Sequence, residues 1–289
     1  MQSIEKAWCG HVDITNVCRH GCVYCTRYDR HLGPKKYMMS LDDIEAALIS
    51  YTGFPGRIGI MGGEPQFHKQ FDEVCRLVQK HIPKDKPILF TSVNPATSKW
   101  SDVIRETFPH TEFHPHTEEQ ESTYEHQPLT IACADAVKDK ALRQALIEDC
   151  WVQRKWCPTV TDDGAFFCEI GASLAKLTGM KGWPLKQDGR QWWKRTPSEF
   201  GDQLDLCQLC GMCIPMKRQK MADKKQKISP SFLKVLEENG LPVGIYELFD
   251  REITPKEMRA ALPTWTPGIY RTEQLSERFS YSTIDWSRY

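Results

Sequence analysis

Val17-Cys18-Arg19-His20-Gly21-Cys22-Val23-Tyr24-Cys25-Thr26 sets three cysteines in C-x3-C-x2-C spacing on one short loop. Three thiolates on a tight loop supply three ligands to a four-iron cubane, whose irons each take one. The fourth iron stays open to a ligand that is not protein, and that is where chemistry can occur. Upstream, His11 to Asn16 alternates apolar and polar residues, the period-two pattern of a strand that delivers the loop to its carboxyl end.

Downstream, Ser40 and Asp43 form a capping pair, and Leu41, Ile44, Ala47, Leu48 and Tyr51 then recur at helical spacing until Gly53 and Pro55 stop the helix. Arg57 to Met61 is the next short apolar run and leads into Gly62-Gly63-Glu64-Pro65. Phe71, Val74, Cys75 and Val78 mark a second helix, and Pro87 to Val93 a third strand whose end carries Thr91, Ser92 and Asn94. This strand-helix-strand-helix order implies parallel strands with right-handed crossovers, and an active site where loops leave the strand carboxyl ends. Thr111 to His114 and Leu129 to Ala132 are expected as further strands, and Ala136 to Ile147 as a helix. The fold class is therefore α/β, a partial (β/α) barrel of five or six parallel strands.

The cysteine spacing, the aromatic Tyr24 before the third cysteine, and Gly62-Gly63-Glu64-Pro65 after it together resemble the radical S-adenosylmethionine superfamily. That resemblance implies a [4Fe-4S] cluster held by Cys18, Cys22 and Cys25, with S-adenosylmethionine chelating its open iron. It implies reductive cleavage to methionine and a 5'-deoxyadenosyl radical, chemistry that breaks C-H bonds no side-chain base can deprotonate. Gly62 and Gly63 would let backbone approach the methionine, with Glu64 accepting from its ammonium group. Tyr24 would lie near the adenine, with plain packing as the alternative. Ser92 and Asn94 would meet the ribose, with strand-end capping as the alternative. His114 and His116 flank Pro115 at the next strand end and are catalytic candidates, as is Glu169.

From about Cys150 the pattern changes to cysteines, tryptophans and short hairpin-like pieces. Asp162-Asp163-Gly164 reads as a tight turn between Thr159-Val160 and Phe166-Phe167. Cys150, Cys168 and the closing pair Cys207 and Cys210 resemble the Twitch module, the shorter relative of SPASM, which implies an auxiliary [4Fe-4S] cluster. Three residues separate Gly164 from Cys168 where that family has four, and Cys157 and Cys213 are spare ligands. Zinc is the alternative metal for the same thiols. Cys75 falls on the apolar face of its helix as a core residue. The division expected is 1–149 for the barrel core, 150–216 for the Twitch-like module and 217–289 for a basic linker and C-terminal extension, the linker carrying Lys217, Arg218, Lys220, Lys224, Lys225 and Lys227.

The chain has 289 residues, 40% of them hydrophobic, and 38 basic against 38 acidic residues, so it can bury a core and offers no global charge for nucleic acid or membrane. No stretch approaches the roughly 20 apolar residues a membrane span needs. Twelve cysteines without an N-terminal apolar run fit metal-bound thiols in a reducing cytoplasm. The expected activity is hydrogen abstraction from a polar small molecule, of sugar, aminocyclitol or nucleoside type, giving dehydrogenation, dehydration or epimerisation. An external donor of flavodoxin or ferredoxin type would supply the electron. Maturation of a ribosomal peptide is the runner-up. Nucleobase modification is a third reading, drawing on the basic run and on Trp192-Trp193 as a stacking pair. A metal-stabilised binding scaffold is the non-enzyme alternative.

Overall fold

The computed structural model describes residues 1–117, 125–185, 191–220, 223, 225–265 and 282–289. Its first half runs β1 (Cys9–Thr15), α1 (Asp29–Leu32), α2 (Leu41–Ser50), β2 (Arg57–Gly62), α3 (Phe71–His81), β3 (Pro87–Thr91), α4 (Ser101–Thr107) and β4 (His110–Phe113). Ser40 caps α2 by accepting from the Asp43 amide, as its sequence requires. Strands β1 to β4 pair in parallel in the order β4-β3-β2-β1. Every residue of β1 and β3 is buried, the pattern of strands covered on both faces.

The second half contains β5 (Glu125–His126), α5 (Cys133–Ala136), α6 (Lys140–Asp149), β6 (Thr159–Thr161), β7 (Gly164–Phe166), α7 (Glu169–Thr178) and α8 (Leu206–Leu209). It continues with β8 (Gln219–Lys220), β9 (Gln226–Ile228), α9 (Pro230–Glu238), β10 (Tyr246–Leu248) and α10 (Pro255–Trp265). The tight hairpin is present as β6 and β7, and it is built into the main sheet. β6 runs parallel to β1, pairing Thr159 with His11, while β7 returns antiparallel. The sheet therefore has six strands in the order β4-β3-β2-β1-β6-β7, five of them parallel, and Ala165 of the outer strand β7 bridges to Trp183. This mixed α/β sheet fits the partial barrel expected from the sequence.

Leu129 to Ala132, expected as a strand, is a buried turn leading into α5. Its apolar residues are inside, but its backbone is satisfied elsewhere. The Gly211 amide donates to Leu129 O at 3.1 Å, the Ser229 amide to Thr130 O at 3.1 Å, and the Ala132 amide to Ser229 Oγ at 2.8 Å. A short apolar run thus reads the same whether a ladder or a set of loop contacts takes its hydrogen bonds. The helix expected over 136–147 begins instead at Lys140, because Asp139 caps it by accepting from the amides of Ala141 and Leu142.

The alternation in β1 separates two environments. Val12 and Ile14 join Ile44, Ala47 and Leu48 of α2 in the main apolar core. Cys9, His11 and Asp13 lie on the other face, and all three are buried. A Cβ at Gly59 of β2 would fall 2.7 Å from the His11 ring and 2.8 Å from the Phe90 ring, so glycine lets these rings close over the strand. Among the described residues no helix is long and apolar enough to cross a membrane.

Candidate active site and second cysteine centre

The cysteine loop and the Gly-Gly-Glu stretch form one unit. The Gly63 amide donates to Thr15 O at 2.7 Å and the Glu64 amide to Val17 O at 2.9 Å, directly before Cys18. Gly62 has φ of 151°, and a Cβ there would collide with Thr15 O; at Gly63 it would lie 2.7 Å from Val17 O. Only glycines allow this approach. The loop then turns through the Cys25 amide on Cys22 O at 3.3 Å. Cys18, Cys22 and Cys25 are each partly exposed, and none of the twelve cysteines is in a disulfide. Burial pushes the Cys25 thiol well up, with the charges of Asp29 and Cys22 adding to it.

Glu64 is fully buried, and both its oxygens are engaged. Oε1 accepts from Thr91 Oγ1 at 2.7 Å and the Gln66 amide at 3.1 Å; Oε2 accepts from the Ser92 amide and hydroxyl, both at 2.7 Å. It clamps the carboxyl ends of β2 and β3 together. Asn94, at the same strand end, accepts from the Ala96 amide at 2.9 Å in a local turn. Tyr24 is 1% exposed, and its hydroxyl donates to Gln219 Oε1 and accepts from the Lys227 amide at 2.7 Å, which places it under β8 and β9.

His116 stacks on His20, with ring centroids 4.1 Å apart, and its Nδ1 lies 3.7 Å from Cys22 Sγ. The His114 amide extends the β3–β4 ladder by donating to Thr91 O at 2.9 Å, and burial lowers its side-chain pKa. His126, which the sequence did not single out, joins this group: burial, then the charges of Arg218, His114 and His116, push its pKa down to about 4. Beside Cys18 opens a polar cavity of about 290 Å³ lined by Arg19, His20, Asp29, Arg30 and Lys36. In the expected basic linker, Gln219–Lys220 pairs with Glu125–His126, and Lys224 lies outside the described residues. Trp192 and Trp193, expected as a stacking pair under the nucleobase reading, are each 2% exposed and pack on Tyr51 and Phe54.

Asp13 and His11 of β1 form, with Arg27 and Glu169, a buried charged network that the sequence reading missed, apart from Glu169. Arg27 Nε lies 2.7 Å from Asp13 Oδ2, and Nη1 lies 2.7 Å from Glu169 Oε2. Arg27 Nη2 is 3.4 Å from His11 Nδ1. Burial raises the Asp13 pKa to about 6 against the pull of Arg27. Burial, with Arg27 beside it, holds His11 well below its usual range. The signal was present in the polar half of the β1 alternation, which faces inward.

The second set of cysteines converges. Cys150, Cys168, Cys207, Cys210 and Cys213 line one cavity with the apolar side chains Ile147, Phe167, Ile170, Leu174, Leu206 and Met212. Burial pushes the Cys150 thiol up to about 11 and Cys168 up to about 12, and lifts Cys207 and Cys210 well above the usual range. Four thiolates in so apolar a cavity are tenable only around a cationic group, so the donor set fits a metal centre. Cys213 hydrogen-bonds Cys133 in an adjoining core, and Cys157 pairs with Cys9, its thiol within 4.8 Å of the His11 ring nitrogen and the Glu169 carboxylate.

Residues 12–111 match the family model described as Radical SAM superfamily. No curated protein matches the chain. Similar solved structures include BtrN in complex with AdoMet and 2-DOIA, 16% identical, covering 71% of this chain and 92% of that one with a TM-score of 0.45. Selenomethionine BtrN in an open conformation is 13% identical, covering 75% and 97% of the two chains with a TM-score of 0.43.

Proposed function

We propose that this protein is a radical S-adenosylmethionine enzyme acting on a polar small molecule. The observation that carries the reading is the union of the two motifs, in which the amides of Gly63 and Glu64 bond the backbone leading into Cys18. The two glycines bring the end of β2 against the three-cysteine loop, as an enzyme that holds cluster and cosubstrate side by side requires. Cys18, Cys22 and Cys25 would hold a [4Fe-4S] cluster with one open iron. When bound and reduced, such a cluster supplies the electron that cleaves S-adenosylmethionine to a hydrogen-abstracting 5'-deoxyadenosyl radical.

The chain's own residues position and exclude. Gly62 and Gly63 offer bare backbone at the end of β2, and Glu64 keeps that backbone fixed by tying it to Ser92. The 290 Å³ polar cavity beside Cys18 is of the size that suits a small polar ligand rather than a macromolecule. His116, stacked on His20 and 3.7 Å from Cys22 Sγ, is the catalytic candidate nearest the first site, and His114 is the second candidate. Glu169 is held by Arg27 and acts as an anchor instead. Cys150, Cys168, Cys207 and Cys210 would hold the auxiliary cluster of a Twitch-like module. Arg19, Arg30 and Lys36 at the cavity rim suit an acidic electron donor of flavodoxin or ferredoxin type.

The experiment is anaerobic reconstitution, followed by iron counting and a search for 5'-deoxyadenosine from S-adenosylmethionine and dithionite. Cleavage that vanishes when Cys18, Cys22 and Cys25 are replaced by alanine is the expected result. A reconstituted protein that neither binds nor cleaves S-adenosylmethionine would overturn the reading.

A further inference from the structure

Each partner of the buried Arg27–Glu169 ion pair lies within two residues of a cysteine from a different site. Arg27 follows Cys25 by two positions, and its amide donates to Cys25 Sγ at 3.4 Å. Glu169 directly follows Cys168, whose Sγ accepts from the Gly171 amide at 3.2 Å at the start of α7. The third member, Asp13, stands on β1, the strand that delivers Cys18. Side-chain exposure is 4% for Arg27, 6% for Glu169 and 2% for Asp13, so water screens the charges little. A guanidinium presents its donors in a rigid planar fork and so fixes the orientation of both carboxylates, whereas an ammonium acts as a point charge that leaves their orientation free.

We propose that Arg27 is a positioning residue that fixes the two metal sites relative to one another and sets their electrostatics in common, with Glu169 as its anchor at the second site. The proposal rests on the two-cluster reading given above. With both carboxylates ionised the triad carries one net negative charge. Arg27 joins the first site through its amide on Cys25 Sγ, and Glu169 joins the second through Cys168, whose thiol its charge raises, so a change of one unit in the triad acts on both.

The test uses the full chain, reconstituted anaerobically, with iron counted first and both midpoint potentials then followed by electron paramagnetic resonance at pH 8. Glu169→Gln removes a negative charge and should raise both midpoints. Arg27→Gln removes a positive charge and should lower both. Arg27→Lys keeps the charge and loses the fork, so its midpoints should stay near the parent's while the magnetic interaction between the two reduced centres changes. Full iron with unmoved midpoints in Glu169→Gln and Arg27→Gln would overturn the proposal and leave the two-cluster reading standing. If Arg27→Gln fails to fold, Glu169→Gln and Arg27→Lys decide in the same way. Parent protein holding only about four irons instead of about eight would remove the second centre, and the proposal with it.

Discussion

Glu64 Oε2 accepts from both the amide and the hydroxyl of Ser92, each at 2.7 Å, so a single buried carboxylate fastens the end of β2 to the end of β3. Removing it strands the amides of Ser92 and Gln66 and the hydroxyl of Ser92, while the Thr91 hydroxyl keeps Val93 O at 3.2 Å. Hydrogen bonds to a charged group contribute about 1.5–3 kcal/mol each, and buried donors left bare add their desolvation cost. Glu64→Ala should therefore lower unfolding stability by about 3 kcal/mol or more in urea titration, and Glu64→Gln by less. A loss below about 1 kcal/mol for Glu64→Ala would show that the clamp is not what holds these strand ends.

The glycines should separate by what a side chain would meet. At Gly63 a Cβ would lie 2.7 Å from Val17 O, so Gly63→Ala must push β2 away from the cysteine loop. Formation of 5'-deoxyadenosine should be lost, with iron at the second cysteine site retained. Gly21 lies between Cys18 and Cys22 at φ of 58°, and a Cβ there would have nothing within 4 Å, so Gly21→Ala meets only backbone strain. That costs about 1–2 kcal/mol at a left-handed position and should leave cleavage measurable. Equal loss of cleavage in both variants would contradict the argument from close approach.

These contrasts mark what could be read from the chain. Strands β1 to β4 and helices α2 and α3 were legible because each repeats its period over several turns or alternations and ends on local signals such as Ser40, Gly53 or Pro87. The two cysteine sets were legible because ligand spacing is a local property. Leu129 to Ala132 was not, since nothing in four apolar residues says that Ser229 and Gly211 will take the backbone hydrogen bonds. Arg27 was not, because its meaning lies in Asp13 and Glu169, separated from it by 14 and 142 positions. Tyr24 carried the signal of its position before Cys25, while its surroundings are set by Gln219 and Lys227 on the far side of the chain.

Stability should depend on pH through groups pulling in opposite directions. His126 has a folded pKa of about 4 against 6.5, so between these values the unfolded chain binds more protons and folding is favoured as pH rises. Asp13 and Asp29 are raised by burial to about 6 and about 7 from 3.8, so the folded chain holds their protons and their contribution falls as pH rises over that range. The His126 share is isolated by His126→Gln. Relative to the parent, this variant should gain about 1 kcal/mol or more at pH 5 compared with pH 8, read from urea unfolding at the two pH values. No change in the difference between the two would show that His126 is not buried neutral.

The second cysteine centre divides its thiols sharply enough for substitution to assign them. Cys150, Cys168, Cys207 and Cys210 share one apolar cavity, whereas Cys213, though it reaches the same cavity, is hydrogen-bonded to Cys133 and donates to Cys210 O at 3.7 Å. Cys157 is buried beside Cys9, away from that cavity. Cys207→Ala should thus cost the protein about half its iron after reconstitution, because a four-iron cluster deprived of a thiolate in an apolar cavity has no water to replace it. Cys213→Ala and Cys157→Ala should keep the full iron content and the parent's visible spectrum. Zinc in place of iron at this centre, measured by elemental analysis of the protein as isolated without oxygen, would leave the four-thiol assignment intact and change the metal. Loss of iron in Cys213→Ala equal to that in Cys207→Ala would make Cys213 a ligand in place of one of the four.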